Sequence, residues 1–140
     1  MSKEIKITLP GKRRVDAEYK GFHIPTDQPL YDGGENSYPA PFDLFMVSIA
    51  TCAGYYAMAF CQSRNIPTEN ITVTQKSEYD PEIKRIGKIK IEAQLPEDFP
   101  EKYKRAVVKA MESCTVKKLI QNAPVFETTV VIGNNNRPAN

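Results

Sequence analysis

The sequence has no CxxC pair and no histidine besides His23, so it offers no ligand set with the spacing of a zinc site. Its three cysteines, Cys52, Cys61 and Cys114, are odd in number and irregularly spaced, which excludes a secreted disulfide framework. The thiols are expected to rest reduced, with any disulfide transient. An excess of charge is lacking as well: 19 Lys and Arg against 17 Asp and Glu leave a net +2, too little to gather nucleic acid or an anionic membrane. Met1-Ser2-Lys3-Glu4-Ile5 has no apolar run behind its charges and does not resemble a secretory signal, so the expected location is the cytoplasm. There are no internal repeats. A length of 140 residues with 41% hydrophobic content fits one domain over 1–140, with a polar tail from 133 to 140.

What is present alternates first with period two. Ile5, Ile7 and Leu9, then Val15, Ala17 and Tyr19, predict two or three antiparallel strands punctuated by Pro10-Gly11 and Lys20-Gly21. Residues 28–41, rich in Gly, Pro, Asp and Asn, predict an ordered loop. Pro41 suits the first position of a helix and Asp43 its first turn, so a long helix is expected from Pro41 to Arg64, ending near Asn65-Ile66-Pro67. From Leu44 to Cys61 it has no charged residue and no polar face. Ser48, Thr51, Gly54, Tyr55 and Tyr56 weigh against a membrane span, and an intertwined homodimer would cover such a helix.

Further on, Ile71, Val73 and Tyr79 mark a strand, Asp80-Pro81 a turn, and residues 88–95 a second strand, together a hairpin. Asp98 with Glu101 suggests a capping box for a helix carrying Tyr103, Val107, Ala110, Met111 and Cys114 on one face. A short helix over 116–122 and a last strand through Phe126, Val130 and Ile132 complete an α+β protein.

A thiol serves catalysis when it is partly ionised and reachable. Two such thiols add a redox cycle, in which the first becomes a sulfenic acid and the second condenses with it to a disulfide. Cys52 lies inside the apolar helix. Cys114 lies where free N–H groups of the following helix would favour a thiolate. Cys61, nine residues beyond Cys52, falls on the opposite helix face and reads as structural. For each thiol, burial as a small hydrophobe is the competing reading.

The run GFHIPTDQPLYDGGENSYPAPFDLFMVSIATCAGYYAMAF resembles the signature of the OsmC/Ohr family: a Gly- and Pro-rich loop, a Pro-x-x-Leu-Leu/Phe segment, and a helix with cysteine eight residues after that leucine. Here these are Pro41, Leu44 and Cys52. MESCTVKKLIQNAPVFETTVVI resembles the family's second cysteine segment, with Cys114 followed by a short helix and a final strand. The resemblance implies an OsmC-like fold, with antiparallel sheets wrapping two central helices in an intertwined homodimer. It implies a thiol peroxidase acting on organic hydroperoxides, with Cys52 attacking, Cys114 resolving, a dithiol reductant of lipoyl type, and no metal or flavin. Peroxidase members carry a glutamate directly after the helix-start proline and an arginine on an N-terminal strand. Here Phe42 follows Pro41, Asp43 comes one place later, and Arg13 and Arg14 are the arginine candidates. That departure keeps a second expectation open, an OsmC-like protein that binds a ligand or handles sulfur without peroxidase activity.

Among the remaining residues, His23 reads as a surface strand histidine, and Asp32 and Glu35 as solvated turn residues beside Gly33-Gly34. Phe42, Phe45, Tyr55 and Tyr56 have two overlapping readings, the lining of an apolar pocket and, more usual for helix aromatics, a place in the core. The lysines of IKRIGKIKIE alternate as a solvated face and lack the stacking aromatics of an RNA-binding strand.

Overall fold

The computed structural model describes residues 3–133, and residues 134–140 of the expected polar tail lie outside them. Three strands, β1 (Lys6–Gly11), β2 (Arg14–Tyr19) and β3 (Phe22–Thr26), form an antiparallel meander in that order. Lys20 and Gly21 close the second hairpin with φ of 52° and 82°, the positive-φ pair whose twist matches a two-residue connection. Ile7 pairs with Ala17 and Ala17 with Ile24, so the apolar residues share one face of the sheet. The other face holds Asp16, which accepts from Arg14 at 2.7 Å and lies 3.3 Å from His23. His23 also pairs with Glu18, its cross-strand neighbour.

The 27–40 loop is ordered around one buried carboxylate. Asp27 accepts from the N–H groups of Gln28, Glu35 and Ser37 at 2.8, 3.2 and 3.1 Å and from the Ser37 hydroxyl at 2.7 Å. Gly34 lies so close to this turn that a Cβ there would sit 1.9 Å from the Gln28 carbonyl oxygen. The Ser37 hydroxyl first, then the Gln28 and Ser37 N–H groups, pull the Asp27 pKa down to about 2. Because the folded value lies below the ordinary one, the carboxylate stabilises the fold above about pH 4, and that contribution is lost as pH falls towards 2. Thermal melting followed by circular dichroism should therefore show a drop in Tm between these limits, and Asp27→Asn should melt lower at neutral pH with a shallower acid drop.

The loop delivers the chain to helix α1 (Pro41–Gln62). Asp43 accepts the Ala40 N–H at 2.9 Å, which caps the first turn. At the other end Asn65 turns left-handed at φ 55°, while Ile66 and Asn65 donate to the Cys61 and Gln62 carbonyls at 2.9 and 3.2 Å. This doubly bonded C-terminal motif stops the helix just ahead of Pro67. The hairpin β4 (Thr72–Asp80) and β5 (Arg85–Gln94) follows, turning where Asp80 accepts from Glu82 at 2.9 Å. Its inner residues Val73, Ile91 and Ala93 pack with Ala53, Ala57, Cys61, Phe99 and Val107 to form the core.

Several expectations change here. Asp98 does not cap a helix: Pro100, which fixes φ and has no N–H, precedes a 3-10 turn over Glu101–Tyr103, and α2 runs only over Lys104–Met111. Cys114 therefore lies beyond α2 and becomes the N-cap of α3 (Thr115–Gln121). The α1 helix is not enclosed by its own chain, since Val47, Tyr55 and Met58 stay exposed beside the buried ridge Ile49, Ala53, Ala57 and Cys61. By length and composition alone it is the one helix among the described residues long and apolar enough to cross a membrane. The last strand is absent. Among the described residues, 123–133 pair with no strand, and Phe126, Val130 and Ile132 are exposed, because a strand needs a neighbouring backbone edge and this segment reaches none among them.

Candidate functional site

Cys52 lies at the rim of the buried α1 face, where α1 packs on α3. Cys114, 1% exposed, is held by its position as N-cap, with its sulfur accepting the Lys117 N–H at 3.4 Å. The chain reversal between α2 and α3 aims the start of α3 at Cys52, so that the Cys52 sulfur lies 3.6 Å from the Thr115 hydroxyl. Both thiols are free, and each acts on the ionisation of the other.

The surroundings split the two thiols electrostatically. Burial pushes the Cys52 pKa up, but hydrogen bonds from the Val116 N–H, the Cys114 thiol and the Thr115 hydroxyl and N–H outweigh it and bring the value down to about 7. Cys114 moves the opposite way. Burial raises its pKa, and donation to an ionised Cys52 raises it further against the pull of the Lys117 N–H. From about pH 7 upward this favours a Cys52 thiolate beside a protonated Cys114, the arrangement a two-step thiol reaction uses.

The other sequence candidates are not gathered here. Cys61 is fully buried in the core, and burial pushes its thiol up. Arg14 is held by Asp16 and stacks over the Tyr38 ring at 4.6 Å, while Arg13 lies along Gly33. Asp43 is spent on its cap, and Glu35 pairs with Lys12 at 2.9 Å. Among the described residues no cluster of His, Cys, Asp and Glu could hold a metal ion.

The aromatic expectation is corrected. Phe42 pairs with Phe45 at 5.9 Å and Tyr55 with Tyr56 at 5.4 Å along α1, but none of them lines the main cavity. That space, about 540 Å³, lies between β5 and the α2–α3 pair, with Ile49, Ile91, Met111, Cys114 and Ile120 among its walls and Lys88, Glu112 and Lys117 around them. Phe42, Phe45 and Tyr55 are exposed and Tyr56 is half-buried, because the small residues Ala53 and Ala57 occupy the packed ridge. Thr115 and the Val116 N–H are the partners that sequence reading missed. Their only sequence signal is that they follow Cys114 at the start of a short helix.

An α+β fold with two adjoining thiols of unequal acidity, one on a long central helix and one capping a short one, defines the class. Within that class the chain belongs to the OsmC-like protein family, whose sequence model matches residues 34–129. No curated protein matches the chain by sequence. Among solved structures it is similar to a candidate osmotic stress induced and detoxification response protein from Psychrobacter arcticus (21% identity, 84% of this chain and 87% of that one, TM-score 0.69). It is also similar to an OsmC like protein from Mycoplasma pneumoniae (14%, 88% and 89%, TM-score 0.66). An organic hydroperoxide resistance protein from Elizabethkingia anophelis aligns at 23% identity, over 87% and 91%, with a TM-score of 0.58. At these identities the likeness establishes the fold.

Proposed function

We propose that the protein is a thiol peroxidase that reduces organic hydroperoxides in the cytoplasm through Cys52 and Cys114. The observation that carries this reading is the placement of Cys52 against the start of α3, the helix that Cys114 caps, with donors that favour ionisation of Cys52 over Cys114. The Cys52 thiolate attacks one oxygen of the hydroperoxide and the O–O bond breaks. The departing alkoxide takes a proton and leaves as the alcohol, and Cys52 becomes a sulfenic acid. The Cys114 sulfur then attacks the Cys52 sulfur, water leaves, and a disulfide forms. A dithiol reductant, of lipoyl type by family resemblance, returns both thiols at the cost of its own oxidation. The name of the Elizabethkingia anophelis protein supports the substrate class.

The working unit in this proposal is a homodimer. The apolar face of β1–β3, the outer face of α1 and residues 125–132 are all uncovered in one chain, with Leu9 77% and Ile132 94% exposed. Soluble monomers rarely leave apolar surface of that extent open.

A second reading, ligand binding or sulfur handling without peroxidase activity, is favoured by one observation. Phe42 stands where a peroxidase of this family would carry its glutamate, and Arg14 is engaged by Asp16 rather than by Cys52. Adding one equivalent of cumene hydroperoxide to the reduced protein decides between them. Thiol titration should show loss of two thiols per chain, peptide mapping should return a Cys52–Cys114 link, and hydrogen peroxide should act more slowly. Unchanged thiols after prolonged exposure would reject the peroxidase in favour of the second reading.

A further inference from the structure

We propose that Thr115 is a catalytic residue whose hydroxyl donates a hydrogen bond to the Cys52 thiolate and so sets how readily that thiolate forms. The inference rests on Cys52 being the attacking thiol, and it adds a residue to that site. Its ground is the 3.6 Å contact between the Thr115 Oγ1 and the Cys52 sulfur, made across 63 residues of sequence by the reversal that places α3 against α1. A thiolate has no proton to give, so in the reactive state the hydroxyl must be the donor.

Other hydroxyls close by in sequence are already committed. Thr51, the residue before Cys52, donates to the Val47 carbonyl at 2.9 Å, the usual outlet for a threonine inside a helix. Ser48 donates to the Phe45 carbonyl at 2.6 Å. Thr115 is the first residue of α3, and its hydroxyl makes no such backbone bond among the described residues. The titratable group that acts on Cys52 from the α2–α3 junction is the Cys114 thiol. The remaining donors from α3 are the Thr115 and Val116 N–H groups. Since those N–H groups belong to the backbone, the Thr115 hydroxyl and the Cys114 thiol are the parts of this environment that a side-chain substitution removes, and only the hydroxyl can be removed with both thiols left in place.

The test is the pH dependence of alkylation, without peroxide. Iodoacetamide labelling of Cys52, quantified on its own peptide across pH 5 to 9, reads the thiolate fraction directly. Thr115→Val keeps shape and deletes the donor. It should move the Cys52 profile up by about one pH unit, which is roughly five-fold less thiolate at pH 7. Thr115→Ser should restore the wild-type profile, a rescue that a packing role for the methyl group would not give. If Thr115→Val does not fold, Thr115→Ala is read in the same way. A wild-type profile in the valine or alanine variant, or a serine variant that follows valine, overturns the assignment. Because no hydroperoxide is present, a shifted profile in a protein that never consumes hydroperoxide would retain the hydrogen bond and reject only the peroxidase.

Discussion

Cys52→Ser should reduce hydroperoxide consumption to background, a loss of at least about a thousand-fold. A serine hydroxyl in the same place stays protonated and is a far weaker nucleophile towards O–O bonds, so the α3 donors have no anion to stabilise. Cys114→Ser should behave differently. Its Cys52 still ionises, because the Thr115 and Val116 donors remain, and one equivalent of hydroperoxide should be consumed once per chain. The product then lacks its condensing partner and stops at sulfenic acid, trapped by a dimedone adduct, and excess peroxide carries it to sulfinic acid. Mass spectrometry of the Cys52 peptide separates these states by one and two added oxygens. In the wild type the rate of the first step should rise with pH through a midpoint near 7 and level off about one pH unit higher, since the thiolate is the reactive form and its pKa lies at about 7. A Cys52→Ser variant that turns over normally would remove the proposed nucleophile, and a Cys114→Ser variant that cycles indefinitely would remove the resolving role.

The parts of this site legible in the sequence were those fixed by local rules. Pro41 and Asp43 start a helix and Asn65-Ile66-Pro67 end it, and both ends are formed by hydrogen bonds and backbone geometry within a few residues. Period-two alternation likewise placed β1, β2 and the β4–β5 hairpin. Misread features depended on distant partners or on one backbone detail. Pro100 displaced the expected cap by altering where N–H groups are free. The contact of Thr115 with Cys52 has no local signature, because it arises from how α2 and α3 fold back on α1. Asp27, the centre of the loop before α1, reads in sequence as one acid among many. Its importance comes from three N–H groups converging on it, a property of the backbone path.

Phe126, Val130 and Ile132 alternate as strand residues do, yet among the described residues the segment pairs with no strand edge and stays exposed. That mismatch leads to the largest structural prediction, that the protein in solution is a homodimer. Light scattering should give about twice the 15.8 kDa chain mass. Val, Ile and Phe side chains gain about 1.5–3 kcal/mol each when taken out of water, so covering this segment, the β1–β3 face and the outer side of α1 gives association ample driving force. Phe126→Asp or Val130→Asp places a charge where an apolar contact is expected. Burying an unpaired carboxylate costs several kcal/mol, and the dissociation constant should rise at least about a hundred-fold. Glu127→Lys, on the alternate side of the same segment, should leave the mass unchanged. A wild-type protein that stays folded and monomeric at micromolar concentration would reject the dimer. Aspartate variants that remain dimeric would instead place the interface away from residues 125–132, on the sheet face and α1 alone.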